Sequence, residues 1–155
     1  MLPFRHFLYG ILFSLICFLI FPEIGLVGFL LILSSTVLID VDHYLFYVYK
    51  KKDWNLKKSY EWFIQHTEKL NSFSRKQREK YYVGFVFLHG VEILIILYLF
   101  SLFISKYFIY IFTGFAFHLL LDLVEQTIYW NRFDRISLIY DFIKYKKLKF
   151  IEDDN

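Results

Sequence analysis

A chain of 155 residues suits one domain, and with 57% hydrophobic and 23% aromatic residues it carries more apolar side chain than an ordinary soluble protein, so a membrane protein is the leading class. Cys17 is the one cysteine, which excludes an intrachain disulfide and leaves the redox compartment open. The net charge of +3 is small, and its uneven placement along the chain says more than its size.

The first apolar run is Phe7 to Phe21, preceded by Arg5 and His6. That order mimics a signal peptide, but Phe21-Pro22-Glu23-Ile24-Gly25 lacks the small residues of a cleavage site, so a retained helical hairpin is expected. Gly10, one turn after His6, is a point where a neighbouring helix could come close. The second run, Ile24 to Ile39, is sixteen residues without a charge and ends in Leu38-Ile39-Asp40-Val41-Asp42-His43. A charge at the centre of a bilayer costs roughly 2.5–3.5 kcal/mol on insertion scales, and less near the interface. Two carboxylates and an imidazole at the end of such a run need a reason. Carboxylate oxygen and imidazole nitrogen are ligands that zinc and manganese accept.

The stretch from Lys50 to Lys80 interleaves Trp54, Leu56, Tyr60, Trp62, Phe63 and Leu70 with Lys57, Lys58, Glu61 and Lys69. It reads as an amphipathic interfacial helix, with aromatics at headgroup depth and lysines reaching water. His66 is read as a surface loop residue. Ser74 and Gln77 have the spacing of a capping box that would open the third run, Tyr81 to Ile104, which carries His89 and Glu92. The fourth run, Tyr107 to about Val124, carries His118 and Asp122. In the tail, Ile136, Leu138, Ile139, Phe142 and Ile143 alternate with Asp134, Arg135, Asp141 and Lys144, before a frayed acidic end at Glu152-Asp153-Asp154-Asn155.

Each run is near the roughly 20 residues that span a bilayer, the first two being short. Ten Lys or Arg lie from Lys50 to Lys80 and six from Asn131 onward, whereas the turns at Pro22-Glu23 and Ser105-Lys106 hold Lys106 alone. The positive-inside rule then places both termini and the long loop in the cytoplasm, with the protein multi-pass in the cell (inner) membrane. The expected fold is all-α and polytopic: four transmembrane helices plus an interfacial amphipathic helix in the 50–80 loop. Residues 1–130 form the membrane domain and 131–155 a basic, amphipathic tail. Membrane lipid, with anionic headgroups at the basic loop, is the expected partner; no specific nucleic acid is needed to explain that loop.

This orientation puts nearly all the intramembrane ionisable residues in one leaflet. His6, Asp40, Asp42, His43, His118, Asp122 and Glu125 fall toward the cytoplasmic ends of their runs. His89 and Glu92 lie about eight and eleven residues in, roughly 12–17 Å deep on a helix. His118, Asp122 and Glu125 stack at i, i+4 and i+7; His89 and Glu92 share a face at i and i+3. Asp40 and His43 share a face, while Asp42 points about 160° from Asp40 on an ideal helix. Either the helix ends there, or Asp42 is an orienting partner or a cap. The pattern points to a shared ionic centre.

His6-x-x-x-Gly10, Asp40-x-Asp42-His43, a histidine in the third run and His118-x-x-x-Asp122, in that order, resemble the membrane-bound metal-dependent hydrolases, inner-membrane proteins also described as LexA-binding. That family is distantly similar to zinc-dependent phospholipase C and its related single-strand nucleases, whose His and Asp side chains on a helical fold hold several zinc ions. The resemblance covers most of the chain and implies metal-dependent phosphoester hydrolysis. The middle motif departs from it. The family commonly has a His-Arg-Gly-x-Thr-His-Ser type of sequence before the third span, where this chain has Leu88-His89-Gly90-Val91-Glu92 within it and Gln65-His66-Thr67-Glu68 in the loop.

The expected centre holds two or more divalent ions, zinc first and manganese second. His6, Asp40, His43, His118 and Asp122 would ligate directly, and Asp42, His89 and Glu92 would complete or orient the shell. Glu125 is the candidate general base, with Asp42 and Glu92 the other acids considered for catalysis. The expected substrate is a phospholipid or lipid phosphate at the cytoplasmic leaflet. The alternatives are a non-catalytic metal-binding membrane protein, and an adaptor in which the metal is structural. Transport is disfavoured because the outer halves of the spans lack polar stepping stones.

Overall fold

The computed structural model describes residues 3–130 and 136–154 and is mostly helical. Helix α1 (Pro3–Ile20) is followed by a 3-10 turn (Pro22–Ile24) and α2 (Gly25–Leu38). Pro22 sits where a helical turn begins and no N–H is needed; Gly25, at φ 63°, takes the left-handed conformation that lets the chain reverse. Helix α3 (Val41–Lys51) continues α2 after a tightened turn at Ile39 and Asp40. Then come α4 (Leu56–Ser72), the single turn α5 (Arg75–Arg78), a two-residue strand β1 (Tyr81–Tyr82), α6 (Val91–Phe103), α7 (Tyr107–Glu125), a π-helical turn (Gln126–Trp130), α8 (Leu138–Lys147) and β2 (Lys149–Phe150).

Helix α2 is the centre of the apolar part, packed against α1 and α7, with α6 leaning on α7. Small residues allow this. A Cβ on Gly114 would run into the Ser35 hydroxyl and come within 2.5 Å of the Ile32 carbonyl, and one on Gly10 would meet Thr36 at 3.2 Å. The hydroxyls of Ser35 and Thr36 donate back to the carbonyls of Leu31 and Ile32 at 2.6 and 2.8 Å, so the helices approach without orphaned polar groups. Two helices are long and apolar enough to cross a membrane, Pro22–Lys51 and Tyr107–Ile128, while Phe4–Ile20 and Val91–Phe103 are apolar but shorter.

The second part is aromatic. Phe46, Tyr47 and Val48 of α3 pack with Trp62 of α4 in a buried cluster joined by Tyr145 and Phe150. Trp62 and Leu70 of α4 are therefore spent on protein, whereas Leu56 and Tyr60 of the helix, and Trp54 just before it, are exposed. The third apolar run differs from expectation. Its first ten residues are strand and irregular chain, and the helix begins at Val91, because glycines at 84 and 90 interrupt the run. The Ser74 and Gln77 box caps α5, not a span, with the Ser74 N–H donating to Gln77 Oε1 at 2.9 Å.

The acidic end is not frayed at Glu152. Its carboxylate accepts from Trp62 Nε1 at 2.6 Å, pairs with Lys51 at 2.7 Å and meets His66 Nε2 at 3.2 Å. His66 is correspondingly not a surface residue: its ring lies against Trp62. Strand β2 pairs in parallel with β1, Tyr81 opposite Lys149 and Tyr82 opposite Phe150. Asp134, Arg135 and Asn155, named in the sequence reading of the tail, lie outside the described residues.

Two tests of packing follow. Gly114→Ala should separate α2 from α7 and cost about 1–3 kcal/mol, read as a lower unfolding midpoint in detergent. Burial raises the Glu152 pKa, but hydrogen bonds from Lys51 and Trp62 and the Lys51 charge outweigh it and hold the carboxyl below its ordinary 4.5. A depressed acid stabilises the fold above its unfolded value and loses that contribution as pH falls through the folded one. The thermal midpoint should therefore drop below pH 4.5, and Glu152→Gln should lower the neutral-pH midpoint and flatten that acid limb.

Candidate metal centre

Where α2 gives way to α3, side chains from α1, α3, α7 and the irregular segment before α6 converge. The turn at Ile39 and Asp40 explains how two acids on nominally opposite faces both reach the centre: they grip one imidazole from two sides. Asp42 Oδ2 is 3.0 Å from His89 Nδ1 and also accepts the Leu88 N–H at 2.8 Å, while Asp40 Oδ1 is 3.5 Å from His89 Nε2. His118 is oriented in the same manner by the Thr36 carbonyl, 2.7 Å from its Nδ1.

Those partners decide the chemistry. A carbonyl and a carboxylate only accept, so each Nδ1 carries a proton, and a neutral ring held this way offers its Nε2 as an acceptor. The two Nε2 atoms nevertheless face one another at 3.2 Å. Around them stand Asp40 Oδ1, 3.5 Å from His118 Nε2, and Asp122 Oδ2, 3.7 and 3.8 Å from His118 and His89. His6 stacks on His118 with ring centroids 4.0 Å apart, its Nε2 is 3.3 Å from Asp122 Oδ1, and its Nδ1 has no hydrogen-bond partner among the described residues. His43 Nε2 is 3.6 Å from Asp40 Oδ1, and its ring meets Phe63 edge-on at 4.9 Å.

Acceptors packed this tightly require positive charge among them, a proton on an imidazole or a metal ion. The spacing suits the latter. A tetrahedral ion with bonds of ~2.0–2.1 Å holds its donors ~3.3–3.4 Å apart. The two Nε2 atoms of His89 and His118 are 3.2 Å from each other and 3.5 to 3.8 Å from oxygens of Asp40 and Asp122. Two donor groups can be drawn: His6, His118 and Asp122, fully buried, and Asp40, His43 and His89, with its first two members partly exposed. The cluster could hold a metal ion.

The expected donors His6, Asp40, His43, His89, His118 and Asp122 are thus brought together, and Asp42 stands behind His89. Glu92 is not among them. With the helix beginning at Val91, Glu92 no longer shares a face with His89; its carboxylate accepts from Ser137 Oγ at 2.6 Å and the Leu138 N–H at 2.9 Å, capping α8. Glu125 lies in the last turn of α7, outside both donor groups. The Thr36 carbonyl and the Leu88 N–H escaped sequence reading because they act through the backbone, where side-chain type leaves no trace.

Asp42→Asn keeps the shape but weakens the acceptor behind His89. It should reduce metal affinity about 10–100-fold with helix content unchanged, measured by competition against a chelator of known affinity. Comparison of the chain with family models, with curated proteins and with solved structures finds no match.

Proposed function

We propose that this protein is a four-span membrane hydrolase, metal-dependent and acting on a phosphoester at the cytoplasmic leaflet, with a phospholipid or lipid phosphate as substrate. The observation that carries the reading is the opposed pair of imidazole Nε2 atoms with carboxylates around them. A divalent ion supplies Lewis acidity at a phosphoryl oxygen and lowers the pKa of a water toward 7. Zinc is the first choice, since neutral imidazole and carboxylate suit it, and manganese the second.

The chain's own residues divide the work. Thr36 and Asp42 hold the two imidazoles by their Nδ1 atoms and turn each Nε2 inward. Asp40 faces three imidazoles with Oδ1 and has an Oδ2 without a hydrogen bond among the described residues, so it would be one of the residues that hold the ion. Asp40 and His43 are each 19% exposed, whereas His6, His89, His118 and Asp122 are at most 5% exposed. Substrate therefore approaches over Asp40 and His43.

Support for the membrane is compositional and geometric. In the most apolar 18-residue window of each long helix only 28% and 17% of the residues are buried within the chain, which supports a surface facing lipid. The shorter α1 and α6 complete the bundle, and spans of this length are met by local thinning. Lysine and arginine placement puts both termini inside. Near-complete burial of four donors also favours a second reading, a closed structural site without catalysis.

Protein extracted in mild detergent should carry bound transition metal by elemental analysis, and Asp40→Ala and His118→Ala should each lose it. Metal retained in both variants overturns the site. Wild-type protein should hydrolyse a chromogenic phosphodiester in a metal-dependent way; bound metal with no turnover of that ester or of lipid phosphates selects the structural reading.

A further inference from the structure

We propose that residues 136–152 are a strap that sets the position of His89, with Glu152 as its fastening. This rests on His89 being a donor and concerns what holds it there. Alone among the donors, His89 comes from a segment with no helix of its own: residues 83–90 are irregular. Rigid placement of such a group must be borrowed from elsewhere.

The lender is the strap, at both ends of the segment. Before it, β1 pairs with β2, and Lys149 donates its N–H to the Lys80 carbonyl at 3.1 Å. After it, the Val91 N–H donates to the Ile136 carbonyl at 2.9 Å, and Glu92 caps α8 through Ser137 and Leu138. A Cβ on Gly90 would lie 2.5 Å from Leu138 Cγ, so α8 rests on the backbone next to His89. Between the ends, Phe85 packs on Phe142 and Tyr145 at 5.9 and 6.0 Å.

The strap is itself tied down at its far end. Ile151 is fully buried, and its carbonyl accepts from Lys69 Nζ at 3.0 Å. Glu152 joins Lys51 of α3 to Trp62 and His66 of α4. Helix α3 also carries Asp42, so the strap fixes the His89 segment relative to the acid that orients its ring. Glu152 touches neither donor group and acts as a positioning residue.

The test uses metal-free, full-length protein in detergent with nitrogen-15 histidine, reading imidazole tautomers by NMR. The variants are Glu152→Gln, which removes the charge at the fastening, and Lys149→Pro, which removes the N–H between the strands. In both, the His89 resonances should shift from their wild-type positions and broaden, while those of His118, held by the Thr36 carbonyl within the bundle, stay put. Zinc affinity should fall at least tenfold in the same variants. An unchanged His89 in either variant overturns the proposal, as does a change shared equally by His118, which marks general loosening. The tautomers are read without metal, so failure of the strap is separable from failure of the hydrolase reading.

Discussion

The centre is governed by an electrostatic constraint: imidazole nitrogens and carboxylate oxygens are held 3.2 to 3.8 Å apart in a largely buried cluster. At an effective dielectric well below that of water, such acceptors repel by several kcal/mol unless a cation lies among them. The surrounding structure is arranged to keep them there all the same. Thr36 and Asp42 hold the imidazoles by their Nδ1 atoms, and the close seam between α2 and α7 places Thr36 against His118. The fold stabilises a charge arrangement that is unfavourable on its own, which is the usual mark of a binding site.

Much of this was legible from residue type. Ionisable side chains in apolar runs are expensive, so His6, Asp40, His118 and Asp122 announced themselves, and the i, i+4 spacing of the last two survives intact in α7. Gly10 was legible as a point of close approach for the same elementary reason. What failed was periodicity where the chain has none. The run containing His89 is apolar throughout, and composition cannot tell a buried irregular segment from a helix; Gly84 and Gly90 were the local clue.

The tail was misread for a related reason. Two-residue strands carry no pattern, and an acidic terminus usually frays, so nothing in Glu152 foretold that Trp62, Lys51 and His66 would converge on it. The aromatic alternation in the long loop was seen as one helical face; α3 and Phe150 take Trp62 and Phe63 of it, while Trp54, Leu56 and Tyr60 stay exposed. Amphipathicity reveals that a face is covered, not by what.

The donors run from His6 to Asp122, and the groups that steady them reach Glu152. Such a centre has very high contact order: nearly the whole chain must be in place before its first and later members can meet. Loop closure must be completed before any ion could offset it. An ion bound there, as proposed, would be captured only after nearly the whole chain had folded, and a partly folded chain would hold uncompensated acids and imidazoles inside an apolar bundle.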